Sequence, residues 1–216
     1  MEFTGVKDGT VHYLRLQIIA GLLSPGQKLN EIGLSTKIDI SRAPLREAFR
    51  LLENENLVVS IPRKGCYVRQ LSLEDCEQIF QAREMIECFA VNLIRDKGIT
   101  EFPLLYADLK QTAALEIPTD SDPLTKYEYC KNILNFHIKL VETSENPRLI
   151  QFFQSIFSGL ARYRLTYEPA VGLAIKSYTD HEQFLKLIKA RKYDQAKDNL
   201  KSHIQWALTN ITNEIK

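Results

Sequence analysis

Three histidines, His137, His181 and His203, each fall within an apolar stripe of a different helical segment of this 216-residue sequence. Side chains three and four residues apart share a helix face. His137 runs with Ile133, Leu134, Leu140 and Val141; His181 with Tyr178, Phe184 and Ile188; His203 with Ala196, Leu200 and Ala207. One inward histidine is most simply a satisfied core residue, but three on separate helices of one bundle point to convergence. Three imidazoles and an open position suit Zn²⁺ or Ni²⁺, with water or an effector oxygen completing the shell. Such a centre can also activate water. Asp180 and Glu182, however, adjoin His181 and point off its face, leaving no evident carboxylate base for catalysis.

A second constellation is cationic. At about 100° per residue, Arg42, Arg46 and Arg50 form one stripe of a helix whose other side carries Leu45, Ala48, Phe49, Leu51 and Leu52. A helix with one apolar face and one guanidinium face suits the major groove, where Arg bridges guanine O6 and N7. Ser41, the N-cap candidate, would offer free backbone N–H groups to a phosphate. A charged solvated face is the plainer alternative, because Glu47 and Glu53 sit among the arginines. The segment that follows favours DNA. Arg63-Lys64-Gly65 forms the tip of a hairpin, where glycine permits close approach to a groove or backbone.

The elements that would carry these groups are legible. Apolar spacing predicts a helix from Val6 to Leu23 with inner residues Val11, Leu14, Ile18 and Leu22, ended by Ser24-Pro25-Gly26. Asn30 reads as the N-cap of a short helix facing inward with Ile32, Leu34 and Ile38. Asp39 falls where a left-handed turn residue is wanted. The helix from Ser41 to about Asn54 tolerates Pro44 in its first turn. Strands follow over Leu57–Ile61 and Cys66–Gln70. From Ser72 onward everything reads as helix: a capping-box-like start running to Lys97-Gly98, then 100–115, 124–143, 147–167, 170–190 and 193–214. Pro118–Pro123 is the clearest loop. The fold class is mainly α: residues 1–70 form a winged helix-turn-helix (three helices plus a β-hairpin), and 71–216 an antiparallel all-helical bundle.

Composition sets outer limits. The net charge is +1, but residues 1–70 hold ten Lys/Arg against seven Asp/Glu, so the basic excess lies with the arginine helix. Cys66, Cys76, Cys88 and Cys130 include no CxxC pair and read as reduced packing residues. No apolar run spans a bilayer, and the N-terminus lacks the layout of an export signal. The expectation is a cytoplasmic protein with no membrane partner.

Residues 12–70 resemble the N-terminal domain of the GntR family of regulators. The resemblance is carried by Leu23-Ser24-Pro25-Gly26, by Ser41-Arg42-Ala43-Pro44-Leu45-Arg46-Glu47-Ala48 and by the Pro62–Val68 wing. It implies phosphate and base contacts for Ser41, Arg42 and Arg46, and a wing tip at Gly65; Arg50 is added from the stripe. "LSLEDCEQIFQAREMIECFAV" and the later helices are similar to the FadR C-terminal (FCD) type within that family. This implies a helical bundle around an effector cavity, often metal-bearing, and a homodimer on a roughly palindromic operator of double-stranded DNA. A repressor is the first expectation, with activation left open by the sequence. Arg83 matches the family's inward arginine and would suit a small carboxylate effector; alternatively it pairs with Glu87 one turn on as a surface salt bridge. Two departures stand out. Asp39 replaces the usual Gly, and Ile133 replaces the Asp or Asn found four residues before the first histidine in metal-bearing members. A third possibility is an architectural DNA binder whose C-terminal domain only dimerises.

Overall fold

The computed structural model describes residues 6–115, 122–167 and 170–215. They divide into two compact units, 1–71 and 72–216.

In the first unit, α1 (Val6–Ile19) buries Val11, Leu14, Ile18 and Ile19 against α3 (Arg42–Asn54). The helix is shorter than its apolar spacing predicts. Gly21 adopts φ +76°, which glycine tolerates without strain, and Leu22 lies exposed beyond the helix end. Arg15 clamps Glu55 through two bonds of 2.7 and 2.6 Å, tying α1 to the chain that leaves α3.

Asn30 caps α2 (Glu31–Lys37) as expected, its Oδ1 accepting from the N–H groups of Ile32 and Gly33. The expected inner face of α2 does not form. Ile32 is exposed, Leu34 and Ile38 are half-buried, and no residue of this two-turn helix is fully covered. Asp39 takes φ +52° between α2 and α3, so the short polar side chain does stand in for glycine there.

The sheet has one strand more than the sequence suggests. β1 (Lys28–Leu29) pairs antiparallel with β3 (Gly65–Val68), which pairs antiparallel with β2 (Val58–Ile61), giving the order β1-β3-β2. Two residues give no alternation to read. Glu53 on α3 accepts from the Ser60 N–H at 2.8 Å and its hydroxyl at 3.0 Å, fixing the wing against the arginine helix.

The second unit is a helical bundle. It comprises α4 (Leu73–Asp96), α5 (Pro103–Ala113), α6 (Pro123–Thr143), α7 (Pro147–Tyr167), α8 (Ala170–Lys189) and α9 (Tyr193–Ile215). Among its packed pairs, α4 lies on α6, α7 and α9, and α8 on α9. The expected start of α4 is half kept. The Ser72 hydroxyl accepts from the Asp75 N–H at 3.2 Å, but the reciprocal bond comes from elsewhere: the Ser72 N–H donates to the Tyr163 hydroxyl at 3.0 Å. At the other end Gly98 adopts φ +68° and stops the helix. Asp122 and Pro123 open α6; the rest of the expected loop, 118–121, lies outside the described residues. The four cysteines are free, and among the described residues no helix is long and apolar enough to cross a membrane.

Candidate functional site

Leu45, Ala48, Phe49 and Leu52 bury one face of α3, which leaves Arg42, Arg46 and Arg50 exposed along the other. Two of these arginines are held loosely. Arg46 Nε meets Glu31 of α2 at 3.0 Å with its side chain 62% exposed, and Arg50 meets Glu47 at 2.7 Å with its side chain 75% exposed. Such solvated pairs contribute about 0–1 kcal/mol. Glu31 lies fifteen residues before Arg46, a pairing no helical periodicity reveals. Ser41 has the extended backbone of an N-cap, but its side chain makes no capping bond.

The wing begins with a turn in which the Lys64 N–H bonds Ile61 O at 3.0 Å and Arg63 takes φ +63° behind Pro62. Gly65 follows at φ +107°, a region other residues rarely enter. Arg63, Lys64 and Gly65 are all exposed. An open cleft of about 490 Å³ separates wing and helix, with Arg46, Arg50 and Arg63 on its walls.

In the second unit the three histidines converge. His137 on α6, His181 on α8 and His203 on α9 are buried, and one ligand nitrogen from each lies within 4.8 Å of the others. Carboxylates hold two of the rings from behind. His137 Nδ1 meets Glu87 at 2.8 Å, and His203 Nδ1 meets Asp180 at 3.1 Å. Asp180 is itself held by Lys176 at 2.8 Å, and that ammonium lies 5.0 Å from the Trp206 ring centre. Phe136 stacks flat on His181 with ring centres 3.9 Å apart. Desolvation pushes the pKa of His137 and His181 well below 6.5 and that of His203 down to about 4, so all three rings are neutral at pH 7 with lone pairs to offer.

These residues fit a divalent metal. The Nε2 atoms of His181 and His203 are buried without a hydrogen-bond partner. A neutral imidazole whose Nδ1 is fixed by a carboxylate is the usual preparation for metal ligation through Nε2. Ile133 is buried and supplies no oxygen, while Asn132 is occupied by the Glu128 carbonyl and Gln111.

Arg83 corrects an expectation. Its pairing with Glu87, 2.7 Å, is real but not on the surface: the arginine side chain is 1% exposed and the glutamate fully covered. The surface alternative is thus overturned while the pairing itself stands, and the inward Arg83 also reaches His137, its Nη2 lying 3.0 Å from Nδ1 and 2.6 Å from Nε2. Sequence reading missed the service of Glu87 and Asp180 to the histidines. The expectation that no carboxylate accompanies the cluster is therefore overturned: Asp180, next to His181 in sequence, reaches His203 on the following helix. Arg162 and Arg164 are buried as well, the latter donating to Ser177 at 3.2 Å.

Comparison with known proteins agrees with both halves. Residues 7–68 match the model for bacterial regulatory proteins of the gntR family, and residues 78–205 match the FCD domain. The chain is 26% identical over 192 residues to the HTH-type transcriptional regulator YdhC of Bacillus subtilis, covering 88% of this chain and 84% of that one. It is 27% identical over 207 residues to the transcriptional repressor GlaR of Escherichia coli, covering 89% of both. It is 25% identical over 189 residues to the gluconate operon repressor of Bacillus licheniformis, covering 84% and 74%. Among solved structures, a GntR transcriptional regulator from Rhodococcus sp. RHA1 superposes with TM-score 0.80 at 21% identity, over 97% of this chain and 99% of that one. Escherichia coli McbR/YncC superposes at 0.73 and 17% identity, over 99% and 100%. With an arginine-faced helix beside a wing in one unit and an FCD bundle in the other, this chain belongs to the gntR family of bacterial regulatory proteins and is a transcriptional regulator, not an enzyme.

Proposed function

We propose that this regulator binds a roughly palindromic operator as a homodimer and changes its grip when a small carboxylate and a divalent metal enter the C-terminal bundle. The observation that carries DNA reading is the outward stripe of Arg42, Arg46 and Arg50 on α3. Lying in the major groove, those guanidiniums would reach guanine edges, and Ser41 with the first-turn N–H groups would meet a phosphate. Arg63, Lys64 and Gly65 would ride the backbone or enter the minor groove. The partners Glu31 and Glu47 are solvated, so exchanging them for phosphate costs little.

His137, His181 and His203 would hold the metal, zinc or nickel, which when bound supplies a Lewis-acid centre for an oxygen ligand. Arg83 would take the carboxylate through charge-assisted hydrogen bonds. The gluconate operon repressor among the relatives is named for an operon of a hydroxycarboxylate, in keeping with that class. Met85 and Phe89 of α4 and Phe152 of α7 are exposed on helices that pack together, an apolar face that a second copy would cover. Repression is the sign that two named relatives share.

The test is a gel-shift titration of the purified protein on its own upstream DNA, with zinc and a panel of small carboxylates or with a chelator. A midpoint that moves between these conditions is the expected result. One midpoint throughout would favour an architectural DNA binder whose bundle only dimerises.

A further inference from the structure

A second concavity lies apart from the histidine cluster, between α5 and α8, which pack together. Tyr106, Leu109, Lys110 and Ala113 recur at helical spacing and give α5 one face. Tyr178, Glu182, Leu185 and Lys189 do the same for α8, with Lys186 at the edge. The two faces enclose an open groove of about 500 Å³, the size of a small-molecule site. Leu109 and Leu185 are buried at its floor, and the exposed Tyr106 ring lines its wall. Three lysines, Lys110, Lys186 and Lys189, stand exposed around it against one carboxylate, Glu182. Glu182 pairs with Lys186 at 2.9 Å, and the Lys189 ammonium lies 5.9 Å from the Tyr106 ring centre. Glu182 follows His181 by one residue, about 100° round the helix, so groove and histidine cluster occupy different flanks of α8.

We propose that this groove is a second ligand site, separate from the histidine cluster, that takes a free amphipathic anion: one carboxylate on an apolar body. Floor and rim set that class together. A purely apolar ligand would cover Leu109, Leu185 and the tyrosine rings but leave the excess ammonium charge unanswered. A small bare anion would gain only solvated ion pairs, which contribute little. A carboxylate joined to an apolar tail meets both. The tail removes floor and rings from water, and the head group sits among the lysines. The Lys186–Glu182 pair is no barrier, because its side chains are 63% and 42% exposed and the ammonium can turn to the new anion at little cost.

The experiment is calorimetric titration of the full chain with octanoate, butanoate and octylammonium, repeated on Ala113→Trp and on Lys110→Glu/Lys189→Glu. All three positions are exposed, so both variants are expected to keep the wild-type melting temperature. Octanoate is expected to bind the wild type at least about tenfold more tightly than butanoate, from its extra buried methylenes. Octylammonium, with the same tail and the opposite charge, should not bind. Filling the groove with Ala113→Trp should remove the advantage of octanoate over butanoate. Reversing two charges with Lys110→Glu/Lys189→Glu should weaken octanoate binding roughly tenfold. Wild-type affinity for octanoate in either variant places the anion elsewhere, the histidine cavity included, and overturns the proposal. Octylammonium binding as tightly as octanoate, or a wild type that takes up no octanoate, overturns it as well.

Discussion

The two units use the same side chain in opposite ways. On α3, Arg46 and Arg50 keep their charge in water, held by single bonds to glutamates that are themselves partly solvated. On α4, Arg83 is sealed inside the bundle against Glu87 and His137. A solvated guanidinium can exchange one anion for another at little cost, which suits a surface that must meet phosphates and bases and let them go. A buried one is committed: every partner matters, and a new ligand must offer an equivalent anion before it moves. The contrast separates the surface proposed to read DNA from the interior proposed to sense a ligand, and it can be broken at four points.

Glu87→Ala should do the most damage. Stripping a buried guanidinium of its carboxylate costs about 3–5 kcal/mol, visible as a lower urea midpoint with an unchanged slope. Acid should act on the same interior. The depressed histidines leave the metal-free protein fully stable above about pH 6.5, where folded and unfolded rings are both neutral. Below that the unfolded rings take up protons first, so stability falls as pH drops toward about 4, the folded value for His203. That one ring accounts for on the order of 3 kcal/mol across the window. Urea titrations at pH 7, 6 and 5 follow the decline, and stability flat over this range would contradict neutral buried imidazoles. On the surface, Arg42→Ala should leave the melt unchanged and weaken operator binding by about 1–3 kcal/mol, measured by fluorescence anisotropy. Glu47→Ala, which only frees Arg50, should change stability by less than about 1 kcal/mol.

The same contrast explains what could be read from the sequence. The first unit's candidate site lies on one helix and one turn, so periodicity alone is enough to place its residues on one exposed face. The buried Leu45, Ala48, Phe49 and Leu52 leave the arginines no other side, and Asp39 and Gly65 mark their turns by residue type. The misses in that unit are the pieces too short to carry a period: the two residues of β1, and α2, whose Ile32 faces solvent because seven residues contribute no covered position. In the bundle, the three histidines could be placed inward from their own stripes. Their partners could not. Glu87 and Asp180 reach rings on other helices, so helical spacing says only which way each points and not what it meets. For the same reason Arg83 and Glu87, four residues apart, look alike in sequence whether the pair faces water or a cavity.

Every role proposed for the first unit depends on α3 being the surface that reads DNA. Anisotropy titration of labelled upstream DNA with wild type and with Arg42→Ala/Arg46→Ala, the two proteins matched for melting temperature, tests it most directly. Binding by the double variant should be at least about thirtyfold weaker, with a shallower dependence on salt. Wild-type affinity and salt slope in the double variant would contradict it.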